Sequence, residues 1–288
     1  MNSFLICHRG ALGDFILTWP ALHSLKELLP NYQFLGVGRP EYMNLAIRLG
    51  LLDKCFNMES SQLLDFFSGK AIPSDLKLTQ GAILWLSAIG ERQKIVAILK
   101  EHASLPIVLV DPFPQEKIHV ALHHYQSIYL YYPIEIPENI SPYFPLDIKK
   151  ENYILIHMGS GSPTKNFPIL FYKKLANELK LLGYSKICFT LGPAEEALSF
   201  NDLTTEWIEK PKDVQKLAVL LSKAILYIGN DSGVSHLSAV LGTPTIALYK
   251  ITDPKIWGVL GKKVKHIFTN NEQSALNLVI KAVKYLLS

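Results

Sequence analysis

Residues 225–249, ILYIGNDSGVSHLSAVLGTPTIALY, contain two short apolar runs separated by a loop and a stretch of helical spacing. Ile225–Ile228 and Thr245–Leu248 are predicted strands, and Val234–Leu241 between them is a predicted helix. A strand, a helix and a second strand in this order form a βαβ unit, in which the two strands are parallel. This stretch therefore predicts an α/β fold built on a parallel sheet.

The same alternation occurs on both sides of one irregular segment. Residues 125–147 hold four prolines and many aromatic residues with little periodicity, which predicts an irregular connection between domains. Before it, the predicted strands are Phe4–Cys7, Gln33–Val37, Cys55–Met58, Ala82–Leu86 and Ile107–Val110, and the predicted helices are Phe15–Leu29 and Glu91–His102. After it, further strands are predicted at Tyr153–His157 and Ile187–Leu191, and helices at Ile169–Leu182, Val214–Lys223 and Glu272–Leu287. The pattern predicts two doubly wound Rossmann-like domains, 1–147 and 148–288, that face a cleft.

The two predicted domains differ in charge. The net charge of +4 over 288 residues divides into −3 for residues 1–147 and +7 for residues 148–288. A basic second domain suits a ligand that carries phosphate. Ordinary solvated lysines would give the same count, so the charge alone does not decide between them.

The cysteines and the hydropathy of the sequence indicate the cellular compartment of the protein. Cys7, Cys55 and Cys188 are widely spaced beside apolar residues, a pattern typical of buried thiols in a reducing compartment. The apolar start of the chain is too short for a secretion signal, and no run approaches the ~18 residues of a membrane span. We expect a cytoplasmic protein, with peripheral contact with the inner face of a membrane left open. The oligomeric state stays open as well.

The first glycine loop, HRGALGD at 8–14, follows the first predicted strand. Gly10 and Gly13 allow a tight turn that exposes the backbone to a ligand. Asp14 stands at the start of the next predicted helix, where an aspartate is a favoured cap and suits the positive end of the helix dipole. Taken alone, this position favours a capping role.

Two loops in the second half are typical of anion-binding sites. HMGSGSPTKNFP at 157–168 runs from a strand into a helix, so its N–H groups and hydroxyls can cradle a phosphate and Lys165 can add a charge. GNDSGVSH at 229–236 places Asp231 and Ser232 at a helix N-terminus, with His236 in the first turn. Each has a plainer interpretation, a flexible surface loop and a helix start with a packed histidine. Together they suggest opposite walls of one pyrophosphate site.

Other motif searches give negative or weak results. GVGRPE at 36–41 begins like a dinucleotide-binding fingerprint, but Glu41 occupies the third glycine position, which argues against a dehydrogenase. The chain has no complete GxxxxGK[ST] phosphate loop, no GxSxG nucleophile elbow and no two aspartates two positions apart. His119 and His123, with His124 beside them, could ligate zinc, but they lack a nearby carboxylate or cysteine pair.

Taken together, GALGDFILTWPAL at 10–22, IHMGSGSPTKNFP at 156–168 and GNDSGVSHLSAVLGTPTIALY at 229–249, with TDPKIWG at 252–258, resemble glycosyltransferase family nine. This is the lipopolysaccharide heptosyltransferase family. The stretches lie in the family's order, in both halves, at the expected separation. The resemblance implies a GT-B fold, with the acceptor on the N-terminal domain and the donor mainly on the C-terminal one.

The resemblance also implies roles for individual residues. It makes Asp14 the catalytic base and places Lys165 against the donor's phosphates, where it assists catalysis. The donor site it implies comprises Gly13, Ser160, Gly161, Lys165, Glu195, Asp231, Ser232, Gly233 and His236. Glu196 is nearly as good a candidate as Glu195 for the ribose contact. His8 and Arg9 depart from the residues that some heptosyltransferases carry, so the acceptor is left open.

The implied activity is an inverting transfer of heptose from ADP-heptose, or of a sugar from a related nucleotide sugar, to a saccharide acceptor of lipopolysaccharide or a related glycan. Asp14 would take the proton of the acceptor hydroxyl, while Lys165 and backbone N–H groups stabilise the departing diphosphate. No metal, other cofactor or nucleic acid is expected. A catalytically silent nucleotide-sugar-binding module and a nucleotide-sugar oxidoreductase are the alternatives.

Overall fold

Two units, Met1–Ile140 and Ser141–Ser288, divide the chain, and each is built on one parallel sheet. The computed structural model describes residues 2–86, 89–192 and 207–288. The division falls within the connection predicted at 125–147.

The N-terminal unit contains a five-stranded sheet in the order β3-β2-β1-β4-β5, and every pairing in it is parallel. Its strands and helices are, in chain order, β1 (Ser3–His8), α1 (Leu12–Leu28), β2 (Gln33–Gly38), α2 (Pro40–Arg48), β3 (Lys54–Asn57), α3 (Leu64–Phe67), β4 (Thr79–Trp85), α4 (Ile89–Lys100), β5 (Ile107–Leu109) and α5 (Val120–Tyr129). Strand β1 is central and all six of its residues are buried, as expected for a parallel strand covered on both faces.

The C-terminal unit contains a six-stranded parallel sheet in the order β11-β10-β9-β6-β7-β8. Its elements are β6 (Ile154–His157), α6 (Ile169–Leu181), β7 (Ile187–Thr190), β8 (Trp207–Glu209), α7 (Val214–Lys223), β9 (Leu226–Asn230), α8 (Gly233–Val240), β10 (Thr245–Tyr249), α9 (Pro254–Trp257), β11 (Val264–Phe268) and α10 (Glu272–Leu287). Strands β6 and β9 are neighbours at the centre, so the loops that follow them lie side by side at the carboxyl edge.

One face of this second sheet is covered by α6 and α10. Phe171 and Leu175 of α6 and Val279 and Val283 of α10 join the inward side chains of the strands in a single buried cluster. Along β10, Ile246 and Leu248 face this cluster, whereas Ala247 and Tyr249 pack against α8 on the opposite face. Alternation of this kind is what a strand between two helical layers requires.

The structure corrects the predicted connection at 125–147. Residues 125–129 belong to helix α5, because Tyr125 and Ile128 are buried and α5 packs against α1. The tyrosine hydroxyl of Tyr125 lies 3.2 Å from the hydroxyl of Ser24 on α1. Tyr125 therefore serves helix packing, which a search for proline-rich irregularity misses.

The glycines of the damaged dinucleotide fingerprint serve packing. A Cβ at Gly36 would lie 2.7 Å from Leu52 Cδ1, and a Cβ at Gly38 would lie within 2.6 Å of the backbone oxygen of His8. Strand β2 ends at Gly38 and α2 begins at Pro40, so α2 lies close to the sheet. The fingerprint's start is therefore explained without a nucleotide.

The hydropathy of the helices also bears on membranes. In the described parts of the chain, no helix is both long and apolar enough to cross a bilayer.

Candidate functional site

The first glycine loop turns the chain from β1 into α1. Helix α1 begins after Ala11, and Asp14 is its third residue, with Oδ2 accepting a hydrogen bond of 3.2 Å from the backbone N–H of Ala11. The carboxylate therefore satisfies the helix start from inside the first turn, as the glutamate of a capping box does. Asp14 remains partly exposed.

A cavity of about 370 Å³ opens beside this carboxylate, within the N-terminal unit. It lies at the carboxyl ends of the paired strands β1 and β4, where His8 is the register partner of Trp85. Ligands of α/β sheets bind at such ends. The cavity is lined by His8, Arg9, Gly10, Asp14, Trp85, Leu86, Glu91, Pro112 and Phe113.

An ion pair stands in the wall of this cavity. Arg9 Nη1 and Glu91 Oε1 are 2.6 Å apart, and the Arg9 guanidinium lies 4.9 Å from the centre of the Phe67 ring. The two contacts hold the guanidinium in place. Sequence reasoning missed Glu91, because it stands 82 residues from Arg9 and within a helix that shows no motif.

His8 lines the cavity as an uncharged side chain. It is buried, its ring centre lies 5.0 Å from that of Phe15, and burial lowers the pKa of His8 to about 3. The imidazole is therefore neutral near pH 7 and a weak base. Among the described residues that line the cavity, Asp14 and Glu91 are the carboxylates able to accept a proton.

In the C-terminal unit the two predicted anion loops come together. The Nζ of Lys165 donates a 2.7 Å hydrogen bond to Oδ2 of Asp231, with the lysine side chain 32% exposed and the aspartate 7% exposed. The sequence suggested that each residue faces phosphate independently. The contact shows that the two side chains also meet each other, so that Asp231 holds the Lys165 ammonium in place by charge attraction.

Asn230 forms a second connection between the loops that follow β6 and β9. It is fully buried, and its Oδ1 accepts a 2.6 Å hydrogen bond from the hydroxyl of Tyr172. Its Nδ2 donates to the backbone oxygen of Met158 and, at 3.2 Å, to Oδ1 of Asn166. The backbone oxygen of Asn166 accepts in turn from Nζ of Lys250 at 3.0 Å. Asn230 and Lys250 were not singled out from the sequence, although Asn230 stands inside a motif that was.

The N-terminus of helix α8 lies at the carboxyl edge of the second sheet, beside these loops. Ser232 is the N-cap, and its hydroxyl accepts from the backbone N–H of Ser235. The first N–H groups of a helix have no acceptor inside the helix, so those of Gly233 and Val234, which precede Ser235, suit an anion. His236 is buried in the first turn.

The remaining predicted donor residues divide into four cases. Ser160 is buried and braces its own loop, donating to the backbone oxygen of Ser162 at 2.8 Å. Gly161 is exposed, and a Cβ there would meet nothing within 4 Å. Gly13 lies in the other unit, in the first turn of α1. Glu195 and Glu196 lie outside the described residues.

The histidines considered for zinc have protein partners. His119 caps α5, with Nδ1 accepting from the N–H of Ala121 at 3.2 Å, and Nε2 of His123 lies 2.8 Å from the backbone oxygen of Asp111. Nδ1 of His124 accepts from the indole of Trp85. Within residues 2–86, 89–192 and 207–288, no three His, Cys, Asp or Glu side chains are grouped to hold a metal ion.

The family is decided by a sequence comparison that spans more than half of the chain. The family described as "Glycosyltransferase family 9 (heptosyltransferase)" matches residues 120–284. The chain belongs to glycosyltransferase family 9. This confirms the family that the three stretches predicted, and with it a glycosyltransferase.

Individual proteins are similar to this chain over most of their length. A Haemophilus influenzae protein named "Putative glycosyltransferase" is 24% identical over 93% of this chain and 88% of its own. "Lipopolysaccharide heptosyltransferase 1" of Pseudomonas aeruginosa is 22% identical over 91% of this chain and 82% of its own. The solved structure of "E. coli heptosyltransferase WaaC with ADP" covers 99% of both chains with a TM-score of 0.74 at 16% identity, which confirms the GT-B fold.

Proposed function

We propose that this family 9 member is an inverting glycosyltransferase that moves heptose from ADP-heptose to a saccharide acceptor of lipopolysaccharide or a related glycan. The observation that carries the proposal is the Lys165–Asp231 contact, which places one held cation between two small-residue loops at the carboxyl edge of a parallel sheet. Named relatives support the finer assignment, since one is a lipopolysaccharide heptosyltransferase and another was solved with ADP.

The donor's diphosphate binds at this edge of the C-terminal unit. The Lys165 ammonium neutralises part of its charge, and the N–H groups around Gly233, with the Ser232 hydroxyl, donate to its oxygens. As the bond between the anomeric carbon and the phosphate oxygen breaks, negative charge grows on the departing ADP. Donors that are already in place stabilise that charge without further reorganisation.

The acceptor saccharide binds in the cavity of the N-terminal unit. Trp85 and Phe113 are among its lining residues and can pack against a sugar ring, and the Arg9–Glu91 pair offers both donors and acceptors. Asp14 takes the proton of the attacking hydroxyl as the new bond to the anomeric carbon forms. Attack from the face opposite the departing diphosphate inverts the configuration of the carbon.

The proposed chemistry needs no metal, because Lys165 and the N–H groups stabilise the leaving group. The test is a transfer assay with purified protein, ADP-heptose and a saccharide acceptor, read by mass spectrometry, with nuclear magnetic resonance reporting the anomeric configuration. We expect one inverted product and the same rate in excess EDTA. Retained configuration would contradict the mechanism, and loss of activity in EDTA restored by manganese would contradict the metal-free leaving-group step.

Donor identity is tested separately by calorimetric titration. We expect ADP to bind distinctly better than AMP, because the second phosphate makes many of the charge-assisted hydrogen bonds. A preference for UDP would keep the site and reject ADP-heptose as the donor. Equal affinity for ADP and AMP would place the pyrophosphate elsewhere.

A further inference from the structure

The ion pair between the two donor loops carries no net charge. The Lys165 ammonium and the Asp231 carboxylate are 2.7 Å apart, so each offsets the charge of the other. A departing diphosphate carries several negative charges, and a neutral pair attracts it only as a dipole. Apart from the N–H groups of α8, the proposed donor site therefore depends on another side chain for its positive charge.

Lys250 stands at the same edge of the second sheet, directly after the last residue of β10. Strand β10 pairs with β9, and the backbone N–H of Asp231 donates to the backbone oxygen of Leu248 at 2.8 Å. Because Lys250 lies just beyond Leu248 in the chain, its backbone is beside the loop that carries Asp231.

The side chain of Lys250 extends to the other donor loop. Its Nζ donates a 3.0 Å hydrogen bond to the backbone oxygen of Asn166 and lies 5.4 Å from the centre of the Phe167 ring. Asn166 and Phe167 directly follow Lys165 in the chain. The side chain of Asn166 is itself fixed, since its Oδ1 accepts from Nδ2 of Asn230 at 3.2 Å. The partly buried Lys250 ammonium is thus held against the segment that carries Lys165.

No carboxylate offsets the charge of Lys250 in the part of the chain that the structure describes. Its contacts there, a backbone oxygen and an aromatic ring, are both neutral. The backbone oxygen takes one of the ammonium N–H groups, which leaves the others able to donate. Lys165, in contrast, is paired with Asp231, and Lys223 is paired with Glu151 at 2.8 Å. Lys250 therefore adds a net positive charge to the paired donor loops.

We propose that Lys250 supplies the net positive charge of the diphosphate site. The inference rests on the proposed donor site and adds a residue to it. Through its bond to Asn166, Lys250 is a positioning residue for the loop that carries Lys165. Its charge also acts on the diphosphate across the loop, because charges in a partly buried site are poorly screened. The attraction grows as the bond to the anomeric carbon breaks and negative charge accumulates on the leaving group.

Three substitutions separate the charge of Lys250 from its hydrogen bond. Lys250→Arg keeps both, Lys250→Gln keeps an N–H donor without the charge, and Lys250→Met removes both while keeping an unbranched side chain. Calorimetry with inorganic pyrophosphate probes the diphosphate site alone, since pyrophosphate has neither base nor sugar. We expect Lys250→Gln and Lys250→Met to weaken its binding by about 10-fold or more, and Lys250→Arg by less than about 3-fold.

Salt dependence gives a readout that a purely structural role would not change. Pyrophosphate affinity should fall less steeply with salt in Lys250→Gln than in wild type, because one charge no longer contributes to binding. The matched control is Lys263→Gln, which changes net charge equally at an exposed lysine. Lys263 lies at the amino edge, where its backbone oxygen accepts from Thr245, the first residue of β10. This control should change the affinity by less than about 2-fold.

The role of Lys250 and the proposed transfer fail separately. If wild type binds pyrophosphate and Lys250→Gln binds it equally well, or with the same salt dependence, Lys250 supplies no charge to the site and the proposed transfer is unaffected. If wild type binds neither pyrophosphate nor ADP, the donor site is wrong and the role of Lys250 falls with it. The expected losses in a protein that prefers UDP would support the role of Lys250 and reject only ADP-heptose.

Discussion

The loops at the carboxyl edges of the two sheets are similar in amino-acid composition but differ in chemistry. After β1, a glycine loop borders a cavity of about 370 Å³ whose ionisable groups are mainly carboxylates, Asp14 and Glu91, around one arginine. After β6 and β9, small-residue loops close on each other through buried Asn230 and through Lys165 held by Asp231. One edge offers space and proton acceptors, and the other offers fixed donors and a cation.

The difference shows how one architecture serves the two tasks that we propose for it, acceptor binding and donor binding. Parallel strands deliver loops to the same edge in both units, so geometry alone does not distinguish acceptor from donor binding. The residues at the start of the following helix do. A carboxylate in the first turn of α1 attracts protons, whereas free N–H groups at the start of α8 attract anions.

The largest effect is expected at Asp14. Asp14→Asn should lower turnover by about 10²-fold or more, because an amide cannot accept the hydroxyl proton. Folding should be unchanged, since Oδ1 of asparagine can accept the same hydrogen bond from Ala11. Steady-state kinetics and thermal unfolding check both statements.

Glu91→Gln is the matched control for Asp14, because it changes the other carboxylate of the same cavity in the same way. It breaks the charge pair with Arg9, and we expect a rise in acceptor KM with turnover lowered by less than about 10-fold. Full activity of Asp14→Asn, or an equal loss of turnover in both variants, would remove Asp14 from the role of base.

The next largest effect is expected at Lys165, whose ammonium is held by Asp231. Lys165→Ala should weaken ADP binding by about 1.5–3 kcal/mol, the scale of a hydrogen bond to a charged group, and AMP binding by less. Turnover should fall further still, because the ammonium matters most as charge grows on the leaving group. Calorimetry with both nucleotides measures the first part, with Lys263→Ala, at an exposed lysine, as the control. Unchanged ADP affinity would move the diphosphate away from Lys165.

Lowering the pH should destabilise the N-terminal unit more than the C-terminal unit. The pKa of His8 falls from 6.5 unfolded to about 3 folded, so its neutral burial stabilises the N-terminal unit fully above pH 6.5 and progressively less as pH falls toward 3. Burial lowers the pKa of His124 in the same unit as well, and in the C-terminal unit it lowers the pKa of one histidine, His266. Hydrogen exchange, corrected for intrinsic rates, should show protection of β1 decreasing between pH 7 and pH 5 more than that of β6.

His8→Gln removes one of these titrations and should flatten the pH dependence of β1 protection. If β1 and β6 lose protection in parallel, and His8→Gln changes neither, burial of the imidazole does not control the acid response.

The smallest effects compare two glycines. Gly161→Ala should change the free energy of unfolding by less than about 0.5 kcal/mol, because its Cβ meets nothing within 4 Å. Gly10→Ala should cost about 1–3 kcal/mol, since its Cβ would lie 2.8 Å from His8 Cε1 and 3.2 Å from Asp14 Oδ2. Urea unfolding measures both. Equal costs would show that the first loop gives way as easily as the second.

The sequence predicted the central strands of both sheets and the edge strands of the first sheet, β3 and β5, but it missed the edge strands of the second sheet. The prediction Phe4–Cys7 lies one residue inside each end of β1, because an uninterrupted apolar run is unambiguous in a buried parallel strand. Strands β8 and β11 were missed. Both are edge strands, and Trp207–Glu209 and Val264–Phe268 carry exposed or charged side chains that hide the strand pattern. Helix α2 was missed because its glycine-rich approach resembles a loop.

The site loops were predicted, but their pairings were not. Small residues after a strand reveal a loop by composition, as at 157–168 and 229–236. Which charges then meet depends on strand order, and the sequence pattern does not specify that β9 pairs with β6. Lys165 was therefore assigned to phosphate without its acidic partner. Arg9 was noted only as a departure from some family members, and its pairing with Glu91 was not foreseen.

The separation of Lys165 and Asp231 along the chain has a consequence during synthesis. They stand 66 residues apart, so at about 5–20 residues per second the ribosome adds Asp231 roughly 3–13 s after Lys165. Over that interval β6 has no β9 beside it, and one edge of an apolar strand is open. The nascent C-terminal unit therefore passes through a stage at which its central strand can pair with the wrong partner, and this stage ends only when β9 leaves the ribosome.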